Sequence, residues 1–394
     1  MKVVFLFGGL PHYLNKVLNK INAEPDIEVV VIVPKGSSLT FGSGVHQSEV
    51  GIDFKVIRLV ESNAWYGKPF FKNFYPTIAA EKPDIIVTGW PYFLAYMFKP
   101  LLFLRLKIKG IKLCSREIPF TVPAYNETFE AFEKRCVDSQ KNELIFKNRL
   151  AFWLLKLMRK YLYSFVFDKA LLYTKQGVDI IHSYGLSKEK IAVTYNSPDT
   201  DEIFETIKAV RLNHPSIINK PHRLLHIGRL VKWKNVDLLI KAVEVLKPKY
   251  PNIELVIIGK GEEEVNLKTL VNTLNLNDNI SFLGAIYEGE GQTIEFLKSG
   301  VYVLAGMGGL SINEAMAHGL PIICSVADGT EKHLVFEGEN GYFFRDNNLE
   351  SLVDAIDKMF SSDSVEMGAR SKAIIEQKIN LPFVSSKFIE ALRS

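Results

Sequence analysis

Cysteine is scarce in this chain. Three occur in 394 residues, Cys114, Cys136 and Cys324, and none forms a C-x-x-C pair. That excludes a disulfide framework and a structural zinc site, and it suits a reducing compartment. The histidines give no metal-ligand spacing: His182 is expected in a helix of the N-terminal half and His318 on a helix surface. A long apolar run is missing too. The most apolar stretch, 93–108, is broken by Lys99-Pro100 and Arg105. A membrane span needs about 20 such residues in a row, so no transmembrane helix is expected. Strong charge of one sign is also absent. A net +4 on a chain of this length points by itself to neither nucleic acid nor membrane. With 47% hydrophobic and 23% charged residues the chain reads as folded, not disordered. The opening "MKVVFLFGGL" runs straight into Gly-Gly and Pro11 with no small-residue cleavage site. It reads as a buried strand and not as a signal peptide.

Short Val/Ile-rich runs alternate with helix-period segments. Strands are expected over 2–9, 27–34, 54–59, 83–89 and 111–116, with a helix over about 11–21. The pattern restarts with strands over 222–228, 252–259, 279–284, 301–306 and 321–325, and helices over about 235–247 and 262–274. Near-continuous apolar strands are buried on both faces, as in a parallel sheet covered by helices. The reading is α/β, with two Rossmann-like doubly wound domains facing a cleft. The first is expected over 1–200. A linker with the polarity of "NSPDTDEIFETIKAVRLNHPSIINKPH" covers 201–221. The second domain spans 222–375, and a C-terminal helix over 376–394 packs back on the first.

Five groups of residues carry candidate chemistry or contact. In "GRLVKWKNVDLLIKA", Arg229 and Lys234 flank a loop between a strand end and a helix start. A fork and a point charge there suit a diphosphate, although two solvated loop cations would have the same spacing. In "GMGGLSINEAMAHGLPIICS", Gly308 and Gly309 permit close backbone approach before a helix, and Glu314 lies about one turn in. That carboxylate suits the vicinal hydroxyls of a ribose or, equally, the helix dipole. In "SREIPF", Arg116 and Glu117 follow a strand and are candidates for acceptor binding or proton removal; an ordinary ion pair is the alternative. His12 follows the Gly-Gly turn with a similar standing. The segment 147–167 mixes Trp, Leu and Phe with Lys147, Arg149, Lys156, Arg159 and Lys160. It reads as a packing helix with snorkelling cations or as a surface for an anionic bilayer.

Taken together, "GRLVKWKNVDLLIKA", "LVIIGKGEE", "ISFLGAI", "GGLSINEAMAHGLPIICS" and "GENGYFF" resemble the C-terminal domain of the retaining GT-B glycosyltransferases of family 4. The order and spacing match over about 222–360, and "SKEKIAVTYNSPDTDEIF" resembles the family's interdomain stretch. The resemblance implies that Arg229 and Lys234 hold the donor diphosphate and stabilise the charge of the leaving group. It implies that Glu314 binds the ribose and that Gly309 and Leu310 lie near the phosphates or sugar. Gly308 opens the loop, Ala285 and Ile286 run along the base, and Gly9 approaches the diphosphate from the first domain. One departure stands out. The family carries a first glutamate eight positions before Glu314, where this chain has Gly306.

The implied activity is metal-independent, retaining transfer of a sugar from a UDP- or GDP-sugar co-substrate, with no further cofactor, to a saccharide or lipid-linked acceptor. The implied setting is bacterial surface-polysaccharide synthesis in the cytoplasm, at the inner face of the membrane. Segments 93–108 and 147–167 would make the peripheral contact, and no nucleic acid is involved. Asp199-Thr200-Asp201 is read as part of the interdomain stretch and not as a metal-binding pair. The rival readings are a GT-B sugar-nucleotide epimerase and a non-catalytic nucleotide-sugar-binding protein. A dehydrogenase is disfavoured, because "FGGLPHY" lacks the full G-x-G-x-x-G and no acid ends the second strand.

Overall fold

The structure is a computed structural model. It describes residues 1–36, 49–119, 122–135, 137–138, 143–144, 148–287, 289–306, 308–326 and 329–394. Cys136 and Lys147, named above, lie outside the described residues. The chain divides into two compact units. The first comprises Met1–Cys136, Leu144–Asn196 and Leu381–Ser394, and the second Val137–Glu143 and Ser197–Asn380.

The first unit is built on seven parallel strands: β1 (Lys2–Leu6), β2 (Glu28–Pro34), β3 (Lys55–Leu59), β4 (Ile85–Thr88), β5 (Lys112–Glu117), β6 (Lys169–Leu172) and β7 (Ile191–Val193). Their order is β7-β6-β5-β4-β1-β2-β3. β1 sits between two other apolar strands, with Val4 opposite both Val30 and Ile86, so both its faces are buried. Helix α1 (His12–Asn22) begins directly after Pro11. Its Leu14, Val17, Leu18 and Ile21 recur at helical spacing and are buried. The stretch 93–108 forms two short helices that separate at Lys99-Pro100, the second being α2 (Pro100–Ile108). The stretch 147–167 becomes α3 (Arg149–Tyr161), continued by a π-helical turn over Leu162–Val166. A C-terminal helix, Leu381–Arg393, packs on α1 with Leu381, Val384, Phe388 and Leu392 buried, and Arg393 pairs with Glu24 and Asp26.

The second unit has six parallel strands: β8 (Lys220–Ile227), β9 (Glu254–Ile258), β10 (Ile280–Gly284), β11 (Ser299–Leu304), β12 (Ile322–Cys324) and β13 (Gly341–Phe343). Their order is β10-β9-β8-β11-β12-β13. The helices that matter below are α4 (Thr200–Asn213), α5 (Val236–Leu246), α6 (Glu290–Lys298) and α7 (Ser311–Ala317).

Two boundaries differ from the sequence reading. The expected linker 201–221 is mostly α4, which belongs to the second unit. Asp199 caps it by accepting the Glu202 N–H at 3.1 Å, and Asp201 and Glu202 complement its dipole. The polarity taken for a link is that of a surface helix, and Pro198, Pro215 and Pro221 flank this helix without entering it. The expected helix 376–394 is the end of a longer helix, Ser364–Lys378, then a break, then the C-terminal helix. Among the described residues no helix is long and apolar enough to cross a membrane.

Candidate functional site

In the second unit, chain connection reverses direction between the neighbouring strands β8 and β11. Ligands of open α/β sheets bind outside the carboxyl ends of the strands at such a point. The two loops that leave these strands are 228–235 and 305–310, and they carry most of the expected donor residues.

The loops are tied together. Lys234 is 9% exposed, and its Nζ donates to the Gly308 carbonyl at 3.2 Å. Asn235, left-handed at φ 50° ahead of α5, donates through Nδ2 to the Ala305 carbonyl at 3.4 Å. The Arg229 guanidinium lies over the Trp233 ring, 5.5 Å from its centre. Gly306 sits in the seam. A Cβ there would stand 2.2 Å from the Trp233 carbonyl oxygen and 2.7 Å from Lys234 Cα. No acid fits at this position. A side chain here would have to displace one of the two loops.

The two glycines that follow differ from each other. A Cβ on Gly308 would meet the Glu331 carboxylate at 3.0 Å, whereas Gly309 faces open space. Glu331 is fully buried, and its Oε2 accepts the Gly329 N–H at 3.0 Å. Gly308 is thus packed against an acid, and Gly309 is the residue whose backbone is open to approach. Leu310 is half-buried and its carbonyl accepts the Glu314 N–H at 3.0 Å. Helix α7 is only seven residues long, so Arg229 and Lys234 supply more of the positive charge here than its dipole does.

Glu314 is half-buried and lines a narrow crevice with Gly289, Thr293 and His318 from its own side and Asp199 from α4. Ala285 and Ile286 are half-buried after edge strand β10, and Ile286 rests against Gly291 at the start of α6. Among the described residues no group of three or more His, Cys, Asp and Glu is placed to hold a metal ion.

Two histidines missed as structural parts lie under this site. His226 is fully buried on β8, with Nδ1 3.0 Å from the Val303 carbonyl. Burial pushes its pKa down to about 4, and the nearby Lys234 adds to the shift. The ring stays neutral, so Lys234 has no second cation beneath it. His318 is buried, contrary to the surface position expected for it. It stacks on Phe296 at 4.3 Å, with Nδ1 2.7 Å from the Glu314 carbonyl and Nε2 3.2 Å from Thr293 Oγ1. Its pKa is likewise pushed down to about 4 by burial. His226 had a signal in the sequence: it is the one polar residue inside "LLHIG".

In the first unit Gly9 is buried between β1 and α1, and His12 is the first residue of that helix. Arg116 and Glu117 do not act together. Successive residues of a strand face opposite sides of the sheet. Glu117 points to the α3 side, where Arg159 donates to both its oxygens at 3.1 and 2.8 Å, and both residues are buried. Arg159 is thus a buried partner and does not snorkel. A carboxylate clamped this way is poorly suited to accept a substrate proton. Arg116 points to the other side, 7% exposed, with its guanidinium carbon 4.4 Å from the Tyr173 ring centre, 5.4 Å from Phe388 and 5.8 Å from Phe7. Among the described residues its Nε and Nη2 have no hydrogen-bond partner.

Residues 212–378 match the family described as glycosyl transferases group 1. An uncharacterized glycosyltransferase of Haemophilus influenzae is 30% identical over 188 residues, covering 44% of this chain and 52% of that one. A Campylobacter jejuni N-acetylgalactosamine-N,N'-diacetylbacillosaminyl-diphospho-undecaprenol 4-alpha-N-acetylgalactosaminyltransferase is 27% identical over 226 residues, covering 55% of this chain and 58% of that one. The match therefore spans little more than half the length of these curated relatives. Among solved structures, Anabaena Alr3699/HepE in complex with UDP superposes with a TM-score of 0.65 at 17% identity, covering 100% of both chains. At that identity the likeness speaks for the fold alone, which is GT-B.

Proposed function

We propose that this chain, whose residues 212–378 are a glycosyl transferases group 1 domain, moves a sugar from a nucleoside-diphosphate donor to a saccharide acceptor with retention of configuration. The donor is a UDP- or GDP-sugar held by the second unit. Arg229 and Lys234 take its diphosphate, the open backbone at Gly309 and Leu310 lies along the phosphates and sugar, and Glu314 accepts from the ribose hydroxyls. Ala285 and Ile286 flank the base. The observation that carries this reading is the 3.2 Å bond from Lys234 to the Gly308 carbonyl. It draws the cationic loop and the glycine loop into one site at the point where the sheet reverses direction. The Anabaena relative in structure was solved with UDP, which supports a nucleotide at such a site.

In the reaction, the bond between the sugar's anomeric carbon and the diphosphate oxygen breaks. The acceptor hydroxyl forms the new bond on the same face, and the departing phosphate oxygen takes the acceptor proton. Arg229 and Lys234 offset the charge that builds on that oxygen, work that positioned cations do in many phosphate-leaving reactions. No protein nucleophile is required, and no metal is invoked for the charge.

The acceptor is lipid-linked in this reading, and the enzyme works at an anionic membrane surface. α3 leaves Leu150, Trp153, Leu154 and Leu157 exposed at helical spacing, and Phe165 beyond them is 71% exposed. α2 leaves Leu101, Leu104 and Ile108 exposed. Lys107 of α2 pairs with Asp168 just past the π-helical turn at 2.6 Å, which ties the two segments together. The Campylobacter relative is named for an undecaprenol-linked acceptor.

The test is the pair of substitutions Arg229→Ala and Lys234→Met, the methionine keeping the buried stem. The double variant should stay folded, with a modest loss of stability from the missing Lys234–Gly308 bond, and should lose nucleotide binding and transfer. Near-parental transfer would overturn the assignment.

A further inference from the structure

We propose that Arg116 is the receptor for an oxyanion on the acceptor substrate, a phosphodiester or a carboxylate. This rests on the reading that the first unit handles the acceptor. The guanidinium is buried, yet among the described residues Nε and Nη2 find no hydrogen-bond partner. Those two nitrogens form one edge of the fork, the edge that grips two oxygens of a carboxylate or phosphate side by side. A buried charge without a counter-ion is costly, and polar groups left unpaired in the interior add to that cost. The Tyr173, Phe388 and Phe7 rings offset part of it by facing the cation. None of the three accepts a hydrogen bond from the free edge. The nearest carboxylate in sequence, Glu117, is on the opposite face of the sheet and taken by Arg159.

The position suits a ligand. Arg116 lies near the end of β5, Phe7 follows β1 and Tyr173 follows β6, so all three mark carboxyl ends of parallel strands. The connection order of this sheet reverses between β1 and β4. The loops leaving those two strands carry Gly8-Gly9 and Gly89-Trp90, with Trp90 half exposed. Tyr13, in the first turn of α1, is close enough to sense both Tyr173 and Arg116, and burial pushes its hydroxyl up to about 12. It stays protonated as a donor beside the arginine. In this reading the donor's phosphates have their own cations, Arg229 and Lys234, and the oxyanion at Arg116 is the acceptor's.

The experiment uses the full chain at constant ionic strength. Dimethyl phosphate, glucuronate and acetate are titrated as probes, with saturating UDP present, and thermal unfolding is recorded. At least one probe should raise the midpoint of the wild type. Arg116→Lys, which keeps the charge and loses the fork, should weaken that probe about tenfold, and Arg116→Met should abolish its effect. The probe that binds tells a phosphodiester from a uronate. An equal response in Arg116→Met, or no response to any probe in the wild type, would overturn the proposal. If Arg116→Met does not fold, the comparison with Arg116→Lys decides. The donor reading fails separately, through UDP that does not stabilise the wild type. Arg229→Ala with Lys234→Met should still bind the oxyanion probe, and loss of probe binding there would place the anion at the donor site and sink the inference.

Discussion

Arg159 grips both carboxylate oxygens of Glu117 across the boundary between α3 and β5, and both side chains are buried. Removing one partner of such a pair leaves the other charged and buried, at a cost of about 3–5 kcal/mol. Glu117→Gln should therefore lower stability by that order in urea unfolding. Glu117→Leu combined with Arg159→Met should recover most of it. Nucleotide binding should not change in either case. A Glu117→Gln protein as stable as the parent but without transfer would instead assign this acid to catalysis.

Gly306 gives a second test. Restoring the family acid with Gly306→Glu should not create a better enzyme. The added carbon would stand 2.2 Å from the Trp233 carbonyl, and forcing it in should cost about 3 kcal/mol or more. Nucleotide affinity should fall with stability, because the displaced loop carries Lys234. Gly309→Ala should differ, with near-parental stability, since its side chain enters open space, and weakened donor binding. Tm and nucleotide titrations on both variants check this.

The pH dependence follows from His226 and His318. Both have a folded pKa of about 4 against 6.5 when unfolded. Between those values the unfolded chain binds protons that the folded chain refuses, so stability falls as pH falls. Their full contribution is present above pH 6.5 and is lost progressively toward pH 4. Each is worth on the order of 3 kcal/mol over that window. His318→Phe, which keeps the stacking on Phe296, should flatten the slope of stability against pH between 4 and 6.5. An unchanged slope would show that the ring is protonated in the fold.

The exposed stripe on α3 makes a fourth prediction. Trp153→Glu with Leu154→Glu should release the protein from anionic vesicles in a flotation assay. Unfolding should barely shift, because both side chains already face water. Membrane binding that survives this change would move the contact elsewhere.

The C-terminal helix can be tested by truncation after residue 380. Leu381, Val384, Phe388 and Leu392 are buried and Arg393 holds Glu24 and Asp26. The shortened chain should lose cooperative unfolding of the first unit while nucleotide binding by the second persists. A truncated chain that unfolds like the parent would show that the helix is dispensable.

Much of the fold was legible along the chain. The Val/Ile runs of β1, β2 and β9 are continuous because a parallel sheet buries both faces, and such runs announce themselves. Short or polar elements were not. β6, β7 and β13 span only three or four residues, too few for a periodic signal. α4 read as a linker because its capping acids look like loop polarity until their N–H partners are known.

The sequence by itself determined the two α/β units, the cationic loop at Arg229 and Lys234, and the glycine turn ahead of Glu314. These are local patterns, and their chemistry travels with residue type and spacing. Tertiary structure alone decided the rest. It set Arg116 and Glu117 on opposite faces, since the strand pleat separates neighbours that look like one pair in a row of letters. It buried His318 and His226 and so kept them neutral. It closed the space beside Gly306, where a side chain would meet the backbone of Trp233 and Lys234. Contacts between distant segments have no signature in either segment alone.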